Sequence, residues 1–209
     1  MVLLVMLAIV LIEFRIVRYA YEKIGIDRRY VFTLLLLSLV GSYINIPIVE
    51  LAPEEMATDQ TAEYYGMRYV IPDVDEWPRT IIAVNVGGAV IPTLLSIYLL
   101  IKNRLYFRGL IAVAVVSFVV HLLARPIPGV GIATPVFIPP LAAAGVALLL
   151  DRKKAPALAY VAGTMGALIG ADLLNLAKIQ GLGAPVASIG GAGTFDGIFV
   201  TGIVAVPLA

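Results

Sequence analysis

Seven apolar stretches follow one another along this 209-residue chain, at 1–20, 31–50, 79–101, 105–124, 135–150, 156–177 and 195–209. A helix needs about 20 apolar residues to cross roughly 30 Å of hydrocarbon, so each stretch reads as one span. The fifth is short and carries Pro139-Pro140, and the seventh stops at Ala209. Composition agrees: 61% of residues are hydrophobic and 14% are charged, against about 25% charged in a soluble domain. The mean hydropathy is +0.99. The expected fold is all-α, a polytopic transmembrane helix bundle of about seven spans, with 1–209 as one integral membrane domain.

The first stretch, Met1 to Ile12, lacks a preceding basic region and a following small-x-small cleavage site, so it reads as a retained span and not as a signal peptide. Basic residues sort into alternate connections. Arg15, Arg18, Lys23, Arg28, Arg29, Lys102, Arg104, Arg108, Arg152, Lys153 and Lys154 lie on one side, and Arg68, Arg79, Arg125 and Lys178 on the other. Eleven against four predicts that the first set is cytoplasmic. The N-terminus is then outside and the C-terminus inside, in the cell membrane of a prokaryote.

The 51–78 loop faces outside and is acidic, with Glu54, Glu55, Asp59, Glu63, Asp73, Asp75 and Glu76. Its Glu63 to Ile71 stretch, rich in Tyr and Val with Gly66 at a turn position, predicts a small β-hairpin. The bilayer is the expected surrounding. Nucleic acid is an unsuitable ligand, because no basic run interleaves with aromatics. The chain has no cysteine and one histidine, His121. Disulfides and thiolate sites are excluded, and no metal site or other cofactor is implied.

Polar residues within spans carry the functional signal, since each charged group costs roughly 2.5–3.5 kcal/mol at a helix centre. With the orientation above, Tyr43, Asn45 and Glu50 end span two, and Asn85 lies about 9 Å into span three. His121 and Arg125 close span four. Asp172 lies about 24 Å along span six with Asn175 one turn later, and Asp196 opens span seven. Five helices thus place polar groups at a similar depth in the outer half. The Gly/Pro-rich, nearly uncharged segments 125–135 and 181–194 lie at the same end. Irregular backbone at membrane depth survives where protein or water satisfies it, which predicts partly re-entrant loops. Gly87, Gly88 and Ala89 on span three, and Gly163, Gly166 and Gly170 on span six, read as close-packing faces.

Three kinds of chemistry suit this set. Asp172 and Asp196 could share a proton and act as acid and base on water, with a membrane peptide as substrate. The same pair could bind a proton or cation, with Asn45, Asn85, His121, Arg125 and Asn175 in support, during transport of a small solute. Or the pair could form a hydrogen-bonded lock in a non-enzymatic scaffold or assembly factor. The residues alone leave these open, with the hydrolase-like pair as the leading mechanistic expectation. No Walker loop, zinc-protease helix or serine elbow occurs.

Several motifs look familiar: Gly-Ser-Tyr-Ile-Asn-Ile-Pro at 41–47, Asn-Val-Gly-Gly-Ala at 85–89 and His-Leu-Leu-Ala-Arg-Pro-Ile-Pro-Gly-Val-Gly-Ile at 121–132. They continue with Ile-Gly-Ala-Asp-Leu-Leu-Asn-Leu at 169–176 and Ala-Ser-Ile-Gly-Gly-Ala-Gly-Thr-Phe-Asp-Gly-Ile-Phe at 187–199. Together they resemble the prokaryotic family called domain of unknown function 1614. The resemblance implies a multi-pass membrane protein and brings no substrate or mechanism with it. Ala171-Asp172 and Gly193-Thr-Phe-Asp196 are also similar to the paired aspartate motifs of presenilin-type and signal-peptide-peptidase-type proteases. Ala171 stands where that family has Tyr, Phe195 where it has Gly, and the Pro-Ala-Leu motif is missing.

Overall fold

The structure is a computed structural model, and it describes residues 15–51, 61–64, 67–70, 80–127, 131–178, 186–191 and 197–209. The first helix, α1, is described over 15–23 and turns at Gly25 into α2 (Arg28–Gly41). Asp27 begins α2 by accepting the Arg29 amide, an N-cap.

The second stretch then leaves helical geometry. Its end is strand β1 (Asn45–Glu50). Strands β2 (Thr61–Tyr64) and β3 (Met67–Val70) pair antiparallel, with Glu63 opposite Arg68. The third stretch starts as strand β4 (Ile81–Asn85), passes through a π-helical turn (Val86–Val90) and continues as α3 (Ile91–Asn103). After α4 (Tyr106–Leu123) comes a small hairpin, β5 (Arg125–Ile127) with β6 (Gly131–Ala133). Then follow α5 (Ile138–Leu150) and α6 (Ala155–Ala167). The α6 helix runs on through a second π turn (Leu168–Asp172) and a 3-10 segment (Leu173–Lys178). Strand β7 (Val186–Ile189) and α7 (Gly197–Leu208) complete the chain.

The chain is mostly helical, as expected, but not all-α: a three-stranded sheet, ordered β1-β4-β7, sits at one end of the helices. Strands β1 and β4 are antiparallel, and β4 and β7 parallel. The reason is local. Pro47 cannot lie inside a helix, because it lacks an N–H and clashes with the preceding turn. Its neighbours Ile46, Ile48 and Val49 are β-branched and favour a pleated strand. Ile81, Ile82 and Val84 do the same for β4. The 181–194 segment, expected to be partly re-entrant, contains β7, and 125–135 contains the β5–β6 hairpin; residues 128–130, 181–185 and 192–194 lie outside the described ones.

At the centre stands α6, whose Ala-Gly-rich surface packs on α3, α4, α5 and α7. Adding a Cβ at Gly166 would press on Val116 of α4, so the two helices approach as closely as small residues permit. Outward faces are apolar: Leu110, Phe118 and Leu122 of α4 and Leu149 of α5 are all exposed. Among the described residues, three helices are long and apolar enough to cross a membrane, Val86–Asn103, Tyr106–Leu123 and Ala155–Lys178. Arg29–Gly41 and Ile138–Leu150 are shorter apolar helices.

At the end opposite the sheet, charged side chains tie turns together. Arg108 pairs with Asp151, Lys154 donates to the Asn103 carbonyl and Lys102 to the Gly25 carbonyl. Arg108 is half exposed, so its pair contributes at most about 1 kcal/mol.

Candidate functional site

The seam between the helices and the sheet collects the polar side chains. Asn45 and Asn85 are direct partners in the β1–β4 ladder. Asn85 is 1% exposed, and its amide is fully used. Nδ2 donates to the Ser42 carbonyl at 2.7 Å and to Asn45 Oδ1 at 3.1 Å, while Oδ1 accepts the Gly88 amide at 2.8 Å. Asn85 thereby closes the end of α2 and caps the π turn that starts α3, two sets of backbone groups left over where helices stop.

Ser188 of β7 extends the node. Its hydroxyl lies 2.6 Å from Asn45 Oδ1 and 2.9 Å from the Gly191 carbonyl. It has one proton for these two acceptors. Just beyond, the chain turns at Gly190, whose φ of +94° suits glycine. The Gly190 amide donates to Asp172 Oδ2 at 2.7 Å. A Cβ at Gly88 would overlap the Gly190 carbonyl oxygen, so the π turn of α3 and the β7 turn touch backbone to backbone.

Asp172 ends the second π turn and is partly buried. Three residues on, Asn175 is fully buried. Its Nδ2 donates to the Gly170 and Ala171 carbonyls at 3.0 and 2.9 Å, and its Oδ1 accepts from Lys178 Nζ at 3.0 Å. The Asn175 amide thereby covers two backbone carbonyls at the point where π geometry gives way to 3-10 geometry.

Of the residues singled out from sequence, Asn45, Asn85 and Asp172 are thus joined through Ser188 and the β7 turn. Asn175 serves its own helix. His121 is half-buried in the last turn of α4, its Nδ1 buried with no hydrogen-bond partner. Gly170 of the second π turn rests on Ser117 and Val120 of the same helix. Arg125 is exposed at the start of β5. Asp196 lies outside the described residues, as do Asp59, Asp73, Asp75 and the other acids of 52–60 and 71–79. Sequence reasoning missed Ser42, Ser188 and Gly190 as members of the node. The Ser-Ile-Gly-Gly turn at 188–191 was the available signal, since adjacent glycines mark a tight reversal.

Among the described residues, no group of three His, Cys, Asp or Glu side chains is placed to hold a metal. Among the described residues, the node links the Asp172 carboxylate, through the Gly190 turn, to a set of amide and hydroxyl groups that are hydrogen-bonded to one another.

A family model described as "Protein of unknown function (DUF1614)" matches residues 39–208. The chain belongs to that family. The DUF1614 match begins in the last turn of α2 and ends in α7, so it takes in every residue of the node. No curated protein and no solved structure matches the chain.

Proposed function

We propose that this DUF1614 protein is a seven-span membrane protein, N-terminus outside, whose node at the outer seam binds a proton or small cation during movement of a small solute. One observation carries the reading: α6 leaves α geometry in a π turn that ends at Asp172, and α3 begins in a π turn capped by Asn85. Helices interrupted beside a carboxylate are how membrane transporters expose carbonyl oxygens and helix ends to an ion, and π turns inside helices concentrate at functional sites. The apolar outward faces of α4 and α5 support embedding in lipid, since a helix apolar on all sides needs an apolar surrounding.

Asp172 supplies the ionisable group. The test separates its charge from its hydrogen bond. Asp172→Asn keeps an oxygen to accept the Gly190 amide and removes the charge, while Asp172→Ala removes both. In proteoliposomes carrying a proton, sodium or potassium gradient, wild-type protein is expected to dissipate at least one gradient faster than protein-free vesicles. Asp172→Asn is expected to lower that rate by about tenfold or more, corresponding to a change of about 1.4 kcal/mol in binding or barrier. An Asp172→Asn protein as fast as wild type would remove the transport reading.

The second reading is a scaffold, favoured by the fact that Asn85 and Asn175 spend their amides on backbone groups. Under it, Asp172→Asn is silent in every assay and only Asp172→Ala lowers stability. The aspartyl hydrolase reading needs Asp196 within water-bridging reach of Asp172. Cleavage of a helical membrane peptide, lost in both Asp172→Asn and Asp196→Asn, is its distinguishing result.

A further inference from the structure

We propose that a cleft between α2 and α3, at the basic end of the molecule, holds the acyl part of an anionic phospholipid with its phosphate on Lys102. The proposal rests on the membrane reading above and is independent of what the polar node does. The two helices meet where Gly41 packs on Gly87, at the node end. Toward the other end they leave a cavity of about 630 Å³, walled by Leu34, Leu37, Leu94, Leu95, Tyr30 and Tyr98. That volume suits a small amphiphile, since ligand sites run from roughly 300 to 1,000 Å³.

Shape selects the occupant. From Ile91 to Lys102 the cleft runs about 16 Å along α3, at 1.5 Å per residue, close to the depth of one leaflet. A cavity of this volume and length has a cross-section of roughly 40 Å², about half that of a helix 10 Å across. A partner helix or the core of a second copy is too wide, and a lipid tail is not. Tyr30 and Tyr98, both substantially exposed, stand on the cleft wall. Their amphipathic rings match the headgroup level where tyrosines are enriched in membrane proteins.

Charge selects the headgroup. Lys102 Nζ closes the cleft, donating to the Gly25 carbonyl at 2.6 Å and lying 5.3 Å from the centre of the Tyr98 ring. An ammonium has three donors, so two remain for phosphate oxygens. Asp27 also lines the cleft, but its carboxylate accepts the Arg29 amide at 3.0 Å and faces Arg29 Nε at 3.8 Å. The acid's charge is therefore spent on its own helix, and Lys102 gives the mouth its sign.

The protein purified in mild detergent is incubated with phosphatidylglycerol or phosphatidylcholine of identical chains, and retained lipid is counted by native mass spectrometry. Wild type is expected to retain phosphatidylglycerol about fivefold over phosphatidylcholine, the preference one well-placed lysine provides near a surface. Lys102→Gln should bring the ratio to parity and Lys102→Arg should keep it, with melting curves showing both folded. Leu94→Trp, at a position 60% exposed, should fill the cleft and displace both lipids. Equal retention by wild type, or a preference that survives Lys102→Gln, would overturn the proposal. So would displacement by soluble glycerol phosphate, which would mark a free-phosphate site, or a co-purifying peptide in the cleft. Extraction of the protein from membranes by alkaline carbonate would instead defeat the membrane reading, whatever the lipid ratio.

Discussion

Asn85 ties backbone groups of two different elements together, the Ser42 carbonyl after α2 and the Gly88 amide of the π turn, and its loss is the sharpest test of the node. In Asn85→Ala the Ser42 carbonyl and the Gly88 amide lose their partner together. A buried polar group without a partner costs about 1–3 kcal/mol, so the melting temperature in detergent is expected to fall by several degrees. An unchanged midpoint would show that water enters the seam freely. Asn85 was legible in the sequence as a polar residue that lipid would not tolerate. What it touches was not, because hydropathy ranks a residue's cost and says nothing of its partner. Asp172 was found by the same logic. Ser188 and Gly190 escaped it, since a serine and a glycine cost too little in an apolar setting to stand out.

At the scale of elements, the helices were read well where small and apolar residues alternate without an interior proline, as in α4 and in α6, whose Pro156 sits in the first turn where it is tolerated. The strands β1, β4 and β7, unlike the β2–β3 hairpin, were misread for a physical reason. Isoleucine and valine score as highly in a hydropathy window as leucine, and a short apolar run has no period to separate strand from helix. Pro47 was the overlooked signal for β1. The continuous α6 rod makes a separate prediction. Asn175→Leu removes the side-chain donors to the Gly170 and Ala171 carbonyls. Hydrogen exchange followed by mass spectrometry should show amides of 173–178 exchanging faster while α4 and α5 keep wild-type protection. Uniform loss of protection would mean that Asn175 holds the bundle and not merely the end of its own helix.

For the whole molecule, the absence of cysteine is an experimental advantage, because any introduced thiol reports without background. Arg152 lies at the exposed turn between α5 and α6, and Lys178 is exposed at the far end of the α6 rod. With the basic end in the cytoplasm, Lys178→Cys is expected to react with a membrane-impermeant maleimide in intact cells. Arg152→Cys should react only after permeabilisation. The reverse pattern would invert the molecule and turn the node inward.

Helix lengths around the bundle are unequal, and the lipid has to answer for it. The outward-facing helix α4 has 18 residues, about 27 Å at 1.5 Å per residue, whereas the 13 residues of α5 reach only about 20 Å. In the membrane reading proposed above, one flank then comes close to the thickness of an ordinary bilayer and the other falls roughly 10 Å short of it. Hydrophobic mismatch of that kind thins the adjoining membrane, at a fraction of a kcal/mol per Å. The protein is accordingly expected to melt at a higher temperature in nanodiscs of short-chain lipid than in long-chain ones. It would then sit in the cell as a local dent, drawing thin membrane and other short-spanning proteins toward its α5 side.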